Sequence, residues 1–410
     1  MTVENPSAPW PNFTHEEIEA VAAVLASGKV NYWTGTVGRD FERAFAGFAG
    51  TGHAIALANG TLALDLALHG LGIGARNGGD ARDEVVVTPR SFMASASAIV
   101  NAGAVPVFAD VDPVTQNITA GTVAPALGPR TRAVLLVHLA GWPCDVDPIA
   151  GLARPRGIAL IEDCAQAHGA LYKGRPVGSL GDVAAWSFCQ DKIMTTGGEG
   201  GMVTCDDEAL WRRMWAFKDH GKSYEAVYER EHPPGFRWLH ETFGTNWRLT
   251  EMQSAIGLVQ LGRMERWQAE RASNAARLNA MLAPWAGPDG FLRIPSPTCH
   301  ACPGGGCTRG AQGCRHAHYK HYVFVRPDRL AAGITRDDVV ARIGAQGVKA
   351  MQGSCSEMYL EKAFDGHPSR PAAPLPVARE LGRTSIMFEV HPGCDYPSLD
   401  LSGLGLAEAA

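Results

Sequence analysis

No run of about twenty consecutive apolar residues occurs in this 410-residue chain, so no segment has the length and polarity of a membrane-spanning helix. Met1 to Phe13 carry no basic cluster followed by an apolar stretch, which makes a cytoplasmic location the default expectation. Charge of neither sign is in large excess: 37 Lys and Arg against 42 Asp and Glu leave a net charge of -5, with no global pull toward nucleic acid or an anionic membrane. A phosphorylated ligand would therefore need a local site. Six of the ten cysteines, Cys144, Cys164, Cys189, Cys205, Cys355 and Cys394, are scattered through core-like or loop segments, the usage of a reducing compartment. Disorder is excluded by 46% hydrophobic and only 19% charged residues. The length suits one large domain, expected over 1–265, and a smaller one over 266–410.

What is present is an alternation of short apolar strands and helices. Thr14 with Glu17 makes a capping box, after which Ile18, Val21, Ala22 and Leu25 share a helical face until Gly28. Strands are expected at 54–58, 85–88, 105–111, 134–139, 158–161, 183–186 and 202–205, with a helix through 92–101. Such a pattern predicts an α/β fold, a mostly parallel sheet covered on both faces, with ligands at the carboxyl ends of its strands. A helix from Thr250, broken near Gly262, leads through Arg271 to Leu282 into an α+β module with a strand at 322–325 and a helix at 336–343.

Three of the strand ends carry chemistry. Asn59-Gly60-Thr61 opens a helix directly after a strand, and the free amides and positive end of such a helix attract an anion. Glu162-Asp163 follows another strand, where a buried carboxylate is costly unless it meets a cation. Between two further strands lies Ser187-Phe-Cys-Gln-Asp-Lys192-Ile-Met-Thr-Thr-Gly-Gly-Glu-Gly-Gly201. A lysine held there can lose part of its solvation, which favours the neutral amine that attacks an aldehyde to form a Schiff base.

The Ser-Phe-x-x-x-Lys signature followed by Gly-Gly-Glu-Gly-Gly resembles the cofactor-lysine segment of the DegT/DnrJ/EryC1/StrS family of sugar aminotransferases. The resemblance runs from about Asn12 to His391. It implies a fold type I transferase that uses pyridoxal 5'-phosphate, with Lys192 as the catalytic lysine. By the same resemblance Gly60, Thr61 and Ser187 bind the cofactor phosphate, Phe92 stacks on the pyridine, Asp163 pairs with the ring nitrogen and Gln166 lies near the phenolic oxygen. Asn246 is expected to reach the phosphate of a second subunit, making a homodimer with shared active sites. The partners implied are a nucleotide-sugar substrate and an amino-acid donor, glutamate or glutamine, with neither nucleic acid nor membrane. Transamination of a keto-cyclitol, a related step on an amino-cyclohexenone, and a noncatalytic cofactor-binding protein are the rival readings. A histidine in place of Lys192 would have pointed to a sugar dehydratase.

Several features stay open at this level. His168 is either an acid–base group or a satisfied structural histidine. Tyr32 and Trp33 line either a ligand wall or a packing loop, and the aromatic segment 218–247, with Pro233-Pro234, reads as a lid or subunit contact. After Pro397 little chain remains for a closing helix. Cys299, Cys302, Cys307 and Cys314, near His316 and His318, are candidates for structural zinc, for a reduced insertion or, against the trend of a reducing compartment, for disulfides, with no catalytic metal implied.

Overall fold

The computed structural model describes residues 10–295 and 313–406. Among the described residues a seven-stranded sheet is built from β1 (His53–Leu57), β2 (Glu84–Val87), β3 (Val105–Phe108), β4 (Thr131–Val137), β5 (Ala159–Asp163), β8 (Val183–Ser187) and β9 (Gly201–Cys205). Its order is β1-β9-β8-β5-β4-β2-β3. The pairings from β8 to β3 are parallel, while β9 runs antiparallel to both neighbours. A two-residue hairpin, β6 (Leu171–Tyr172) and β7 (Arg175–Pro176), lies outside it. The expected strands are all there, shifted by one to three residues at their ends; Asp163 is the last residue of β5 rather than a residue beyond it.

Period-two alternation divides these strands between two cores. Ile55, Leu57, Val85, Val87, Leu135, Ile161, Ala185 and Val203 face one cluster, whereas Ala54, Ala56, Val86, Val134, Leu136, Leu160, Trp186 and Met202 face the other. Both faces are apolar because both are covered, as a parallel sheet requires. The helices are α1 (His15–Ser27), α2 (Val37–Ala49), α3 (Gly60–Gly70), α4 (Ala94–Asn101), α5 (Ala120–Val123), α6 (Val146–Ala153), α7 (Glu208–Lys218), α8 (Tyr224–Tyr228), α9 (Glu251–Leu261) and α10 (Met264–Leu282). Among the described residues no helix is long and apolar enough to cross a membrane. In α1 the capping box forms as expected, but the stripe holding Ile18 and Leu25 faces outward. The helix instead buries Val24 and Glu17, whose carboxylate accepts from Arg263 at 2.8 Å.

Past α10 a four-stranded antiparallel sheet forms from β10 (Leu292–Arg293), β11 (Lys320–Val325), β12 (Ala350–Met351) and β13 (Ser385–Glu389), backed by α11 (Arg336–Gly344) and α12 (Pro376–Thr384). No closing helix follows Pro397 among the described residues; Leu401 and Leu404 instead pack as irregular chain into a third core with Leu278, Leu282, Val323 and Phe388. Two polar contacts fasten this unit to the large sheet. The Asp110 carboxylate accepts the first amides of α12, Val377 and Ala378, at 3.0 and 2.9 Å, the placement that a helix amino end favours. Buried Arg90 donates to Gln116 and to Ser356 at 2.8 Å and lies over the Tyr322 ring.

Of the candidate zinc ligands, Cys299, Cys302 and Cys307 lie outside the described residues. The Cys314 sulfur accepts the Lys173 amide at 3.1 Å.

Candidate active site

The carboxyl ends of β1, β5 and β8 bring the expected residues together. Asn59 caps α3 by accepting the Leu62 amide through its side chain and the Ala63 amide through its carbonyl, so Gly60 and Thr61 supply the open amides of that helix end. Gly60 is a glycine for want of space: a Cβ there would lie 2.5 Å from the Ser187 Cβ. That contact places the Ser187 hydroxyl against the amino end of α3. The chain around Gly201 also passes against the Asn59 carbonyl, so the glycine run packs on its own subunit at that point.

Asp163 is buried at the end of β5. One carboxylate oxygen accepts from the Ser95 hydroxyl at 2.8 Å and the other from the Ala165 amide at 3.1 Å. Burial pushes its pKa above the usual carboxylate range, against the pull of these two donors and of the Lys192 charge. Ser95 sits in the first turn of α4, and Ser91 lies 3.3 Å from it, hydroxyl to hydroxyl. Phe92, between the two serines, is 71% exposed, so its ring is offered outward and takes no part in the core. Gln166 uses its side-chain oxygen to accept the Ala140 amide at 2.7 Å, which leaves its NH2 as the donor end.

Lys192 lies on the loop between β8 and β9 with its side chain only 16% exposed. Its Nζ is 3.4 Å from the Tyr319 hydroxyl and 3.6 Å from an Asp191 oxygen, and the Tyr319 hydroxyl donates to Asp191. The Trp10 indole N–H pins the Lys192 carbonyl at 2.9 Å. Trp10, Ser95 and Tyr319 carried no local signal, since they meet their partners across 182, 68 and 127 residues; only Asp191, adjacent to the lysine, was open to sequence reasoning.

His168 is buried against Trp186 and Phe188 with ring centroids 5.3 and 5.7 Å away. Burial, with the Lys192 and Arg271 charges, pushes its pKa down to about 3. That direction keeps the ring neutral near pH 7 in its aromatic surroundings. Asn246 stands exposed beside the end of β1, where the Trp247 carbonyl accepts the Ala58 amide at 3.0 Å. In the 218–247 segment α8 is a single helical stretch and most of the rest is irregular, with Trp238 81% and Phe243 100% exposed. Trp33 packs edge-on against Tyr32 and Trp215, with the Lys222 ammonium 3.8 Å from its ring centre.

Comparison with known proteins finds relatives along nearly the whole chain. An aminotransferase structure from Psychrobacter cryohalolentis superposes with a TM-score of 0.89 at 54% identity, covering 95% of each chain. The GDP-perosamine synthase of Caulobacter vibrioides is 38% identical over 323 residues, 78% of this chain and 77% of that protein. The dTDP-3-amino-3,4,6-trideoxy-alpha-D-glucose transaminase of Streptomyces venezuelae is 32% identical over 96% of this chain and 94% of its own. The DegT/DnrJ/EryC1/StrS aminotransferase family model matches residues 11–399. With a mostly parallel α/β sheet presenting Asp163 and Lys192 at its strand ends, the chain belongs to that family and is an aminotransferase.

Proposed function

We propose that this aminotransferase uses pyridoxal 5'-phosphate to move an amino group from glutamate or glutamine to a keto group of a nucleotide-activated sugar. The residues present fit that cofactor. A buried carboxylate whose pKa burial has pushed up is short of a cation, and a protonated pyridine nitrogen is one. Asp163 is the observation that carries the reading, because its two donors leave acceptor capacity on a group that otherwise has no reason to be buried. Gly60, Thr61 and Ser187 would hold the phosphate, Phe92 would cover one ring face, Gln166 would donate to the ring oxygen and Lys192 would hold the aldehyde carbon. When bound, the cofactor supplies an electron sink for the carbon–hydrogen bond of the amino donor.

The protein's own part is to bind, orient and move protons. Lys192 Nζ would take the proton from the donor's alpha carbon and return one on the other side of the transfer, while the Asp163 carboxylate would hold its charge toward the ring nitrogen. Both named relatives act on sugar nucleotides by their names, and one of them matches nearly the whole chain, which supports a nucleotide sugar over a keto-cyclitol. A homodimer in which exposed Asn246 reaches the partner's phosphate site belongs to the same proposal, as does the division into a cofactor-binding domain over 1–265 and a small domain over 266–410.

Borohydride reduction of the cofactor-loaded protein, followed by peptide mapping, tests the reading. The expected adduct is on Lys192, and recovery of that residue unmodified would overturn it. A panel of keto sugar nucleotides and keto-cyclitols, with glutamate and glutamine as donors, then assigns the substrate class.

A further inference from the structure

We propose that Tyr319 and Asp191 form a proton path from the amine of Lys192 to bulk water. The inference rests on the cofactor reading above and concerns how the lysine is made ready for it. A lysine attacks a carbonyl only as the neutral amine, so the proton of its ammonium form must leave first. Lys192 is poorly placed to lose that proton to solvent directly, with its side chain 16% exposed. Tyr319 touches its nitrogen at 3.4 Å and donates its own hydrogen to Asp191, whose side chain is 55% exposed. The hydroxyl oxygen therefore faces the donor and the hydroxyl hydrogen faces the acceptor, which is the polarity a relay needs.

The transfer balances without any further reactant. The lysine N–H bond breaks as its proton joins the tyrosine oxygen, the original tyrosine O–H bond breaks toward Asp191, and a neutral amine, an unchanged phenol and a carboxylic acid result. Water then takes the proton from Asp191. Tyr319 does not work by ionising, because burial and the Asp191 charge push its pKa well up. Burial also raises Asp191, but the Lys192 charge, the Tyr319 hydrogen bond and the Lys320 charge outweigh it and hold the carboxyl below its ordinary value, so a proton placed there is readily given up. Around this chain stand Lys320 with Glu389 at 3.5 Å, and buried Arg271 with its guanidinium over the Trp10 ring. Tyr319 immediately precedes β11, so the middle member of the path arrives with the small sheet. The Asp191 oxygen stands 3.6 Å from the lysine nitrogen, beyond hydrogen-bond reach, and the Tyr319 hydroxyl that bridges the gap is in place only when that sheet is seated.

The test follows covalent attachment of pyridoxal phosphate to the cofactor-free protein by absorbance, in the wild type, Tyr319→Phe and Asp191→Asn, with borohydride mapping of the adduct in each. Attachment slows in both variants by something on the order of 100–10,000-fold, the range of a lost proton-transfer group. Formate or imidazole then restores the Tyr319→Phe rate in proportion to its concentration while leaving the wild type unaffected, a response that a merely structural tyrosine would not give. Variants that load at the wild-type rate, or slowing that added bases fail to relieve, would overturn the path. A wild type that forms no adduct on Lys192 would instead remove the cofactor reading, and this inference with it.

Discussion

Glu162 and Asp163 are neighbours on one strand, both buried, and the sheet treats them in opposite ways. The Glu162 carboxylate accepts four bonds: the amides of Gly178, Leu180 and Gly181 at 2.9, 2.8 and 2.7 Å, and the His138 ring at 2.9 Å. Because the other His138 nitrogen accepts the Cys144 amide, the ring proton is on the side facing Glu162. Burial alone would raise the Glu162 pKa, and these donors outweigh it and hold it below the ordinary value. Asp163, on the opposite face, has two donors and a raised pKa. A carboxylate that holds the fold is saturated by its own chain. One left short of donors, as Asp163 is, has room for a ligand's cation, and burial then moves its pKa up rather than down.

The largest effect that could break this comparison is on activity. Asp163→Asn keeps the shape and both neighbours but removes the charge, and should lower turnover on the order of 100–1000-fold, the scale of losing one preorganised charge contact. Urea denaturation of the same variant should show no loss of stability, since a poorly compensated buried charge has gone. Glu162→Gln is the mirror experiment. It strips the charge from a site with four donors and leaves at least one of them facing an amide N–H, so it should cost about 3–5 kcal/mol of folding stability. Its activity per folded molecule, measured well below the melting temperature, should fall far less than that of Asp163→Asn. If the stability and activity losses came out the other way round, the division of labour on β5 would be wrong.

The two carboxylates also mark how far the sequence could be read. Strands, the α3 opening and the lysine loop are local: a few neighbouring residues state the element, whereas the role of Asp163 came from the family resemblance. The saturation of Glu162 depends on a loop sixteen residues onward and on a histidine one strand back, so no local pattern separated it from Asp163. Gly178 shows the same limit, since its backbone lies in the left-handed region with the Trp186 ring 2.2 Å from where a Cβ would sit, a crowding that only the folded chain reveals. The outward stripe of α1 was misleading for a related reason. Helical periodicity located its apolar residues, but the burial went to Glu17 because Arg263 was there to meet it. In the small sheet, β10 and β12 are two residues each, too short for any period to declare them.

The smallest expected effect is also the one that discriminates most finely. Ser95→Ala removes one of the two donors to Asp163 and should cost about 1–3 kcal/mol at pH values where the carboxylate is charged. The sign of its pH dependence follows from linkage. The folded pKa of Asp163 is raised, so between the ordinary carboxylate value of about 4 and the folded value the native state holds a proton the unfolded chain has lost, and stability falls as pH rises through that window. Without Ser95 the charged form is less favoured, the folded pKa rises further and the falling limb extends to higher pH. Glu162 supplies the opposite slope: its stabilisation is present above the unfolded value and is lost as pH falls through the depressed folded one. Urea titrations of the wild type and Ser95→Ala across acid and neutral pH should therefore diverge as pH rises and converge in acid, where Asp163 is neutral in both. A Ser95→Ala penalty that stayed constant with pH would mean that the hydroxyl packs against the carboxyl without supporting its charge, and the contrast between the two faces of β5 would lose its electrostatic basis.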